Sequence, residues 1–213
     1  MAKEIMTVRG GTSNITNAIA NAPRFEAGKT EKGYSKQLAQ AVLSRENAIR
    51  KNSNESLHLF DSNGKEIMAF QGKGTGVIIS RSQAQSIPQN TIMTHNHPRA
   101  LGRSGLASIG HSFSAYDIAS AIRHNAAEIR AVTPRYTFSL KRPKGGWGIS
   151  ESELNKVYRN AENERVRDGN KYIDEGPTNA YNARVERANV LHHHALMKEL
   201  SKKYGWIYTK KRG

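Results

Sequence analysis

The run Thr91-Ile92-Met93-Thr94 is short, apolar and β-branched; it follows the turn-forming Pro88-Gln89-Asn90 and is closed off by Pro98. Such a run predicts a buried strand, so His95-Asn96-His97 sits where a strand leaves the core. Alternate residues of an extended segment face one side. His95 and His97 therefore aim their imidazoles at a common point while Asn96 faces away, which is metal-chelating geometry. Further on, Ser114 opens a helical pattern with Ile118, Ala121 and Ile122 on one face and Asp117 in its first turn. A loop that brings this turn to the strand end supplies a third, anionic donor. Two imidazoles, a carboxylate and a water make the open four-coordinate site of a catalytic zinc.

Each half of this pattern also has a simpler explanation. Ser-x-x-Asp at a helix start is a good N-cap, worth about 1 kcal/mol without any metal, and an isolated His-x-His is commonly surface or core histidine. The combination, together with one residue upstream, favours the metal. Glu55 opens the run Glu55 to Phe60, the first strand of a hairpin that turns at Asp61 to Lys65 and returns through Glu66 to Phe70. A zinc hydrolase needs a base beside its activated water, and Glu55 is placed to be that base.

These residues resemble the JAB/MPN (JAMM) metalloproteases, and within them the RadC-like and prophage-encoded branch. The family pattern is a Glu at the start of an early strand, His-x-His-Pro at the end of a later one, and Ser-x-x-Asp at a helix start. Here these positions are Glu55, then His95, His97 and Pro98, then Ser114 and Asp117. The string THNHP followed by SFSAYDI is especially close to the prophage branch, and the likeness spans about residues 45–147. The resemblance implies an α/β fold with a mixed β-sheet between helices, related to the cytidine-deaminase fold. It implies Zn2+ on His95, His97 and Asp117, Glu55 as the base, Ser114 as hydrogen-bond donor to the developing oxyanion, and hydrolysis of a peptide or isopeptide bond. Two departures stand out. The segment Arg99 to Phe113, with Gly102, Gly105 and Gly110, is longer than the usual family linker; it is either a lid or partner-binding loop, or a spacer that holds Asp117 off the metal until something orders it. Gln71 stands where relatives often carry a second Glu.

Charge is the main global constraint. Thirty-three Lys and Arg against eighteen Asp and Glu give a formal +15, which favours a polyanionic partner, nucleic acid first. Binding of that kind is sequence-tolerant and salt-sensitive. Cysteine is absent, which excludes thiolate ligands and disulfides and leaves zinc to His and carboxylate. No apolar run is long enough to span a membrane and the N-terminus lacks a signal-peptide hydrophobic stretch. The expectation is a cytoplasmic or virion-associated protein without membrane insertion.

Three regions are expected. Residues 1–33 read as an extended Gly-, Asn- and Thr-rich arm. Residues 34–148 form the metal-binding domain, opened by a helix from Tyr34 to Ile49 with Leu38, Val42 and Ile49 on one face. Within it, Gly72 to Gly76 form a connection into a buried strand Val77-Ile78-Ile79, and strands follow at Glu128 to Thr133 and Tyr136 to Leu140. The glycines lack the Gly-Lys-Ser/Thr ending of a phosphate loop. Residues 149–213 read as a helical extension: a helix capped by Ser150 and interrupted at Gly169-Asn170 and Gly176-Pro177, then a second helix from Thr178 to Tyr204 with Tyr181, Val185, Ala188, Leu191, Ala195 and Leu200 on its apolar face. His192-His193-His194 lie on that helix, where consecutive side chains diverge, so no shared metal is expected. Trp206-Ile207-Tyr208 reads as a short strand before a basic tail, Thr209 to Arg212.

The sequence thus points to a JAMM-type zinc peptidase or isopeptidase of phage or prophage kind, acting on a protein or peptide. One rival is a non-enzymatic minor virion or DNA-binding protein, ejection- or head-associated, that keeps the fold and has virion or homo-oligomeric partners. Another is a metal-dependent nuclease, although His95-Asn96-His97 is not the dispersed HNH nuclease motif.

Overall fold

The computed structural model describes residues 34–103, 108–173 and 181–213; the N-terminal arm and Gly105 lie outside them. It is an α/β structure built on one mixed six-stranded sheet. The elements run α1 (Lys36–Ile49), β1 (Ser56–Phe60), β2 (Glu66–Gln71), α2 (Arg81–Gln85), β3 (Ile92–Asn96), α3 (Ala115–Arg123), β4 (Glu128–Val132), β5 (Tyr136–Lys141), α4 (Glu151–Ile173), α5 (Tyr181–Tyr204) and β6 (Ile207–Arg212). The strand order is β2-β1-β3-β4-β5-β6. Among the described residues only β3 and β4 pair in parallel; the other neighbours are antiparallel.

A parallel pair requires a crossover, and the segment between β3 and β4 provides it through α3. The C-terminal end of β3, where the two histidines sit, therefore adjoins the chain that enters α3. The sheet's two faces differ in chemistry. Leu57, Leu59, Met93, Ile129, Ala131, Phe138 and Leu140 point to one side and pack with Ile118 of α3, Leu154 and Val157 of α4, and Leu196, Met197 and Leu200 of α5. On the other side α1 lays Leu38 and Val42 against Phe60 and Ile92. Around that small apolar patch the face is polar. Glu46 of α1 is fully buried, accepts from Thr94 Oγ1, and is ion-paired to Arg130, which also pairs with buried Glu128.

Several expectations need correction. Val77-Ile78-Ile79 is not a strand: the chain runs there without regular structure and Ile78 is 79% exposed. The reason lies in the preceding glycines. Gly72 N donates to Glu55 O and Glu55 N to Gly74 O, so the chain folds back over the start of β1 instead of continuing the sheet. Beyond it Ser80 and Gln83 form a capping box that starts α2. Gly169-Asn170 does not interrupt α4, which runs on to Ile173; Gly176-Pro177 lies outside the described residues. On α5 Leu200 is buried as expected but Leu191 is exposed, and Val190, His192, His193, Leu196, Met197 and Tyr204 are buried beside it; the side chains of Tyr181, Val185 and Ala188 lie outside the described residues. The basic tail is a strand, with Lys210 opposite Phe138 and Arg212 opposite Tyr136.

The segment from residue 149 shares the core of what precedes it. Trp147 Nε1 donates to Ala126 O and Trp206 Nε1 to Trp147 O, and the two indoles meet edge to face at 5.4 Å. The end of the expected domain is thereby fastened to Trp206, the residue that precedes the last strand.

Candidate metal centre

His95 lies in the middle of the sheet, opposite Leu57 of β1 on one side and Ala131 of β4 on the other. Pairing on both flanks fixes its backbone. His97 follows at the strand end, its main-chain N held by Val132 O. The expected alternation is present: the Nε2 atoms of His95 and His97 face each other at 2.8 Å. Asp117 arrives from the first turn of α3, with Oδ1 3.4 Å from His95 Nε2 and Oδ2 3.9 Å from His97 Nε2. One donor atom from each of the three lies within 4.8 Å of the others, and among the described residues this is the only such group of His and carboxylate.

The helix cap and the candidate metal site share one residue, Asp117. Asp117 Oδ2 accepts from Ser114 N at 2.6 Å and Ser114 Oγ at 2.9 Å, while Asp117 N donates to Ser114 Oγ. One carboxylate oxygen is thus occupied by the helix start, leaving Oδ1 turned toward His95. The Ser114 hydroxyl proton is directed at Asp117, so donation to an oxyanion requires that hydroxyl to turn away.

The donor set fits a divalent metal by its hydrogen bonding as well as its spacing. His97 Nδ1 contacts the carbonyl of His111 at 2.9 Å; a carbonyl only accepts, so Nδ1 carries the proton and the neutral ring presents its lone pair at Nε2. Burial, with the neighbouring His95, holds the His97 pKa below its ordinary value, which favours the neutral, ligating form. Outer-shell bonds of this kind orient metal-binding imidazoles. The group His95, His97 and Asp117 could therefore hold a metal ion.

Glu55 is at the same place. A cleft of about 110 Å³ is lined by Glu55, His95, Asp117 and Tyr116, with Val77 and Ile79 from the irregular segment. Burial, and secondarily the Asp117 carboxylate, raise the Glu55 pKa to about 7, against the opposing influence of His97 and Arg99. A carboxyl poised near neutrality suits proton transfer at physiological pH.

The long segment after Pro98 does not hold Asp117 away. It ends instead by delivering the His111 carbonyl to His97, and the His111 ring stacks on His193 of α5 at 4.5 Å. His194 shares a hydrogen bond with the Tyr208 hydroxyl at 2.6 Å. The sequence singled out neither His111 nor Asn96; a carbonyl contact leaves no residue-type signature, and Asn96 was identified only as facing away.

The chain matches no protein-family model, and no curated protein and no solved structure is found to resemble it. What the site supports is therefore chemical: a mixed α/β chain whose His95, His97 and Asp117 form a group able to take a metal ion, with a carboxyl of raised pKa in the same cleft.

Proposed function

We propose that the protein is a zinc-dependent peptidase or isopeptidase of JAB/MPN type. The observation that carries this reading is the convergence of two imidazoles and a carboxylate beside Glu55, whose pKa is raised to about 7. The mixed sheet between α1 and the remaining helices is compatible with it. A zinc ion on His95, His97 and Asp117 would polarise the scissile carbonyl and acidify the attacking water. Glu55, as its carboxylate, would take a proton from the attacking water and return it to the departing amine, so the carboxylate is regenerated at each turnover. Ser114 holds Asp117 at the site. Val77, Ile79 and Tyr116 give the cleft an apolar wall for substrate side chains.

The test is digestion of a mixed-sequence peptide library by zinc-loaded protein, read by mass spectrometry. Cleavage that disappears with chelator and in Glu55→Gln supports the reading. An intact library with zinc-loaded wild type contradicts it.

A second reading, nucleic-acid binding without catalysis, is favoured by the placement of β6. This edge strand carries exposed Lys210, Lys211 and Arg212 beside Arg135, and no acidic residue occurs in 132–148 or 200–213. Lysines also guard an edge strand against pairing with other chains. Duplex binding that weakens steeply with salt supports the nucleic-acid role; salt-independent or absent binding leaves the lysines that protective role alone. No helix among the described residues is long and apolar enough to cross a membrane.

A further inference from the structure

We propose that Asn96 is a positioning residue for Glu55: its buried side-chain amide clamps the chain on both sides of Glu55 and so sets where the carboxylate stands relative to His95, His97 and Asp117. This rests on the metallopeptidase reading for its catalytic meaning, and on the hydrogen bonds alone for its geometry.

Asn96 lies between the two histidines, with its side chain on the opposite face of β3 and 1% exposure. Its Oδ1 accepts from Ser56 N at 2.8 Å and Ser56 Oγ at 3.1 Å. Its Nδ2 donates to Asn52 O at 3.2 Å and Asn54 O at 3.0 Å. A main-chain N–H only donates and a carbonyl only accepts, so only one orientation of the amide satisfies all four bonds. Residues 54 and 56 are both tied, and Glu55 itself is tied by its own backbone: Glu55 N donates to Gly74 O and Glu55 O accepts from Gly72 N, each at 2.8 Å. The end of β3 thus presents the two histidines on one face and the clamp for the base on the other.

The clamp has its own support. His58 bridges Ser56 Oγ at 3.2 Å and Glu66 Oε1 at 3.0 Å, and Arg45 of α1 holds Glu66 Oε2 at 2.8 Å. Ser56, His58 and Glu66 stand in the order of a serine-hydrolase triad, but Ser56 is fully buried and offers no substrate access. Their role is to stiffen the clamp, as satisfied buried polar networks do. Aspartate has the shape of asparagine yet would set a carboxylate oxygen against the carbonyls of Asn52 and Asn54.

The experiment compares wild type, Asn96→Asp, Asn96→Ser, Glu55→Gln and the double variant Asn96→Asp/Glu55→Gln, with cobalt(II) as the metal probe. Amide hydrogen exchange is measured on the metal-free proteins, and visible spectra on the cobalt-loaded ones. The expected result is that the Glu55 and Ser56 amides of the Asn96 variants exchange about tenfold faster or more while the amides of residues 92–95 keep their protection. Cobalt stoichiometry is retained, the spectrum changes as in Glu55→Gln, and Asn96→Asp adds no further change in the Glu55→Gln background. Unaltered exchange at Glu55 and Ser56, or a wild-type spectrum in both Asn96 variants, overturns the proposal. If Asn96→Asp does not fold, Asn96→Ser decides. If wild type takes up no cobalt, the metal reading fails by itself and the exchange data still decide the clamp.

Discussion

His97 Nδ1 donates to the main-chain carbonyl of His111 at 2.9 Å, so a loop fourteen residues further along the chain orients a candidate metal donor. The turn that delivers this carbonyl passes through Gly110 at φ +74°, where an added Cβ would lie 2.7 Å from Thr133 Cγ2 and 3.2 Å from Ala100 Cβ. Gly110→Ala is therefore expected to displace His111. Loss of an outer-shell bond costs about 10–100-fold in metal affinity, and chelator competition on the variant should read a weakening in that range.

The face under α1 is held by charge. Glu46 accepts Arg130 Nε at 2.6 Å and another guanidinium nitrogen at 3.1 Å. Removing one partner of a buried pair leaves the other uncompensated, typically at about 3–5 kcal/mol. Glu46→Ala is expected to lower unfolding free energy by about 3 kcal/mol in urea denaturation. A loss below about 1 kcal/mol would mean that Arg130 and Glu128 sustain one another without it.

The contrast between what the sequence disclosed and what it concealed has a physical basis. Strands β1, β2, β3, β4 and β5 were legible because alternation or a short apolar run marks each of them. The convergence of His95, His97 and Asp117 was legible because a two-residue period and a helix cap fix directions locally. The burial of Glu46 was not legible, since its partner Arg130 is 84 residues away and a charge on a helix normally reads as solvated. The start of β6 was legible at Ile207 and Tyr208, but its second half, Thr209 to Arg212, reads as a tail because Lys210, Lys211 and Arg212 carry no apolar alternation; pairing with β5 supplies what the side chains do not advertise. Val77 to Ile79 showed the converse error, a β-branched run diverted from the sheet by Gly72 and Gly74.

Burial lowers the pKa of His194 to about 4, and that of His193 well below its ordinary value. A histidine whose folded pKa is depressed leaves stability intact above its unfolded value of about 6.5; stability is lost as pH falls from there toward the folded pKa, because the unfolded chain binds more protons. Glu55 acts with opposite sign, since a raised carboxyl pKa destabilises the fold as pH rises from about 4.5 to about 7. Thermal melts in the Glu55→Gln background should therefore show Tm falling from pH 7 to pH 5. His194→Gln should flatten the fall, and an unchanged profile would mean that His194 protonates freely in the folded protein.

Replacing Lys210, Lys211 and Arg212 by Gln tests the edge strand as a polyanion surface. If these three contact phosphates, the slope of log K against log salt for duplex DNA falls by about 0.9 per lost contact. An unchanged slope would place any nucleic-acid contact elsewhere on the chain.

Metal content tests the candidate centre most directly. Protein purified without chelator, analysed beside a His95→Ala/His97→Ala double variant, is expected to carry one zinc per chain that the variant lacks, with Asp117→Ala intermediate or empty. Wild type that stays free of zinc after reconstitution, or a double variant that keeps its zinc, would contradict the assignment of His95, His97 and Asp117 as a metal site.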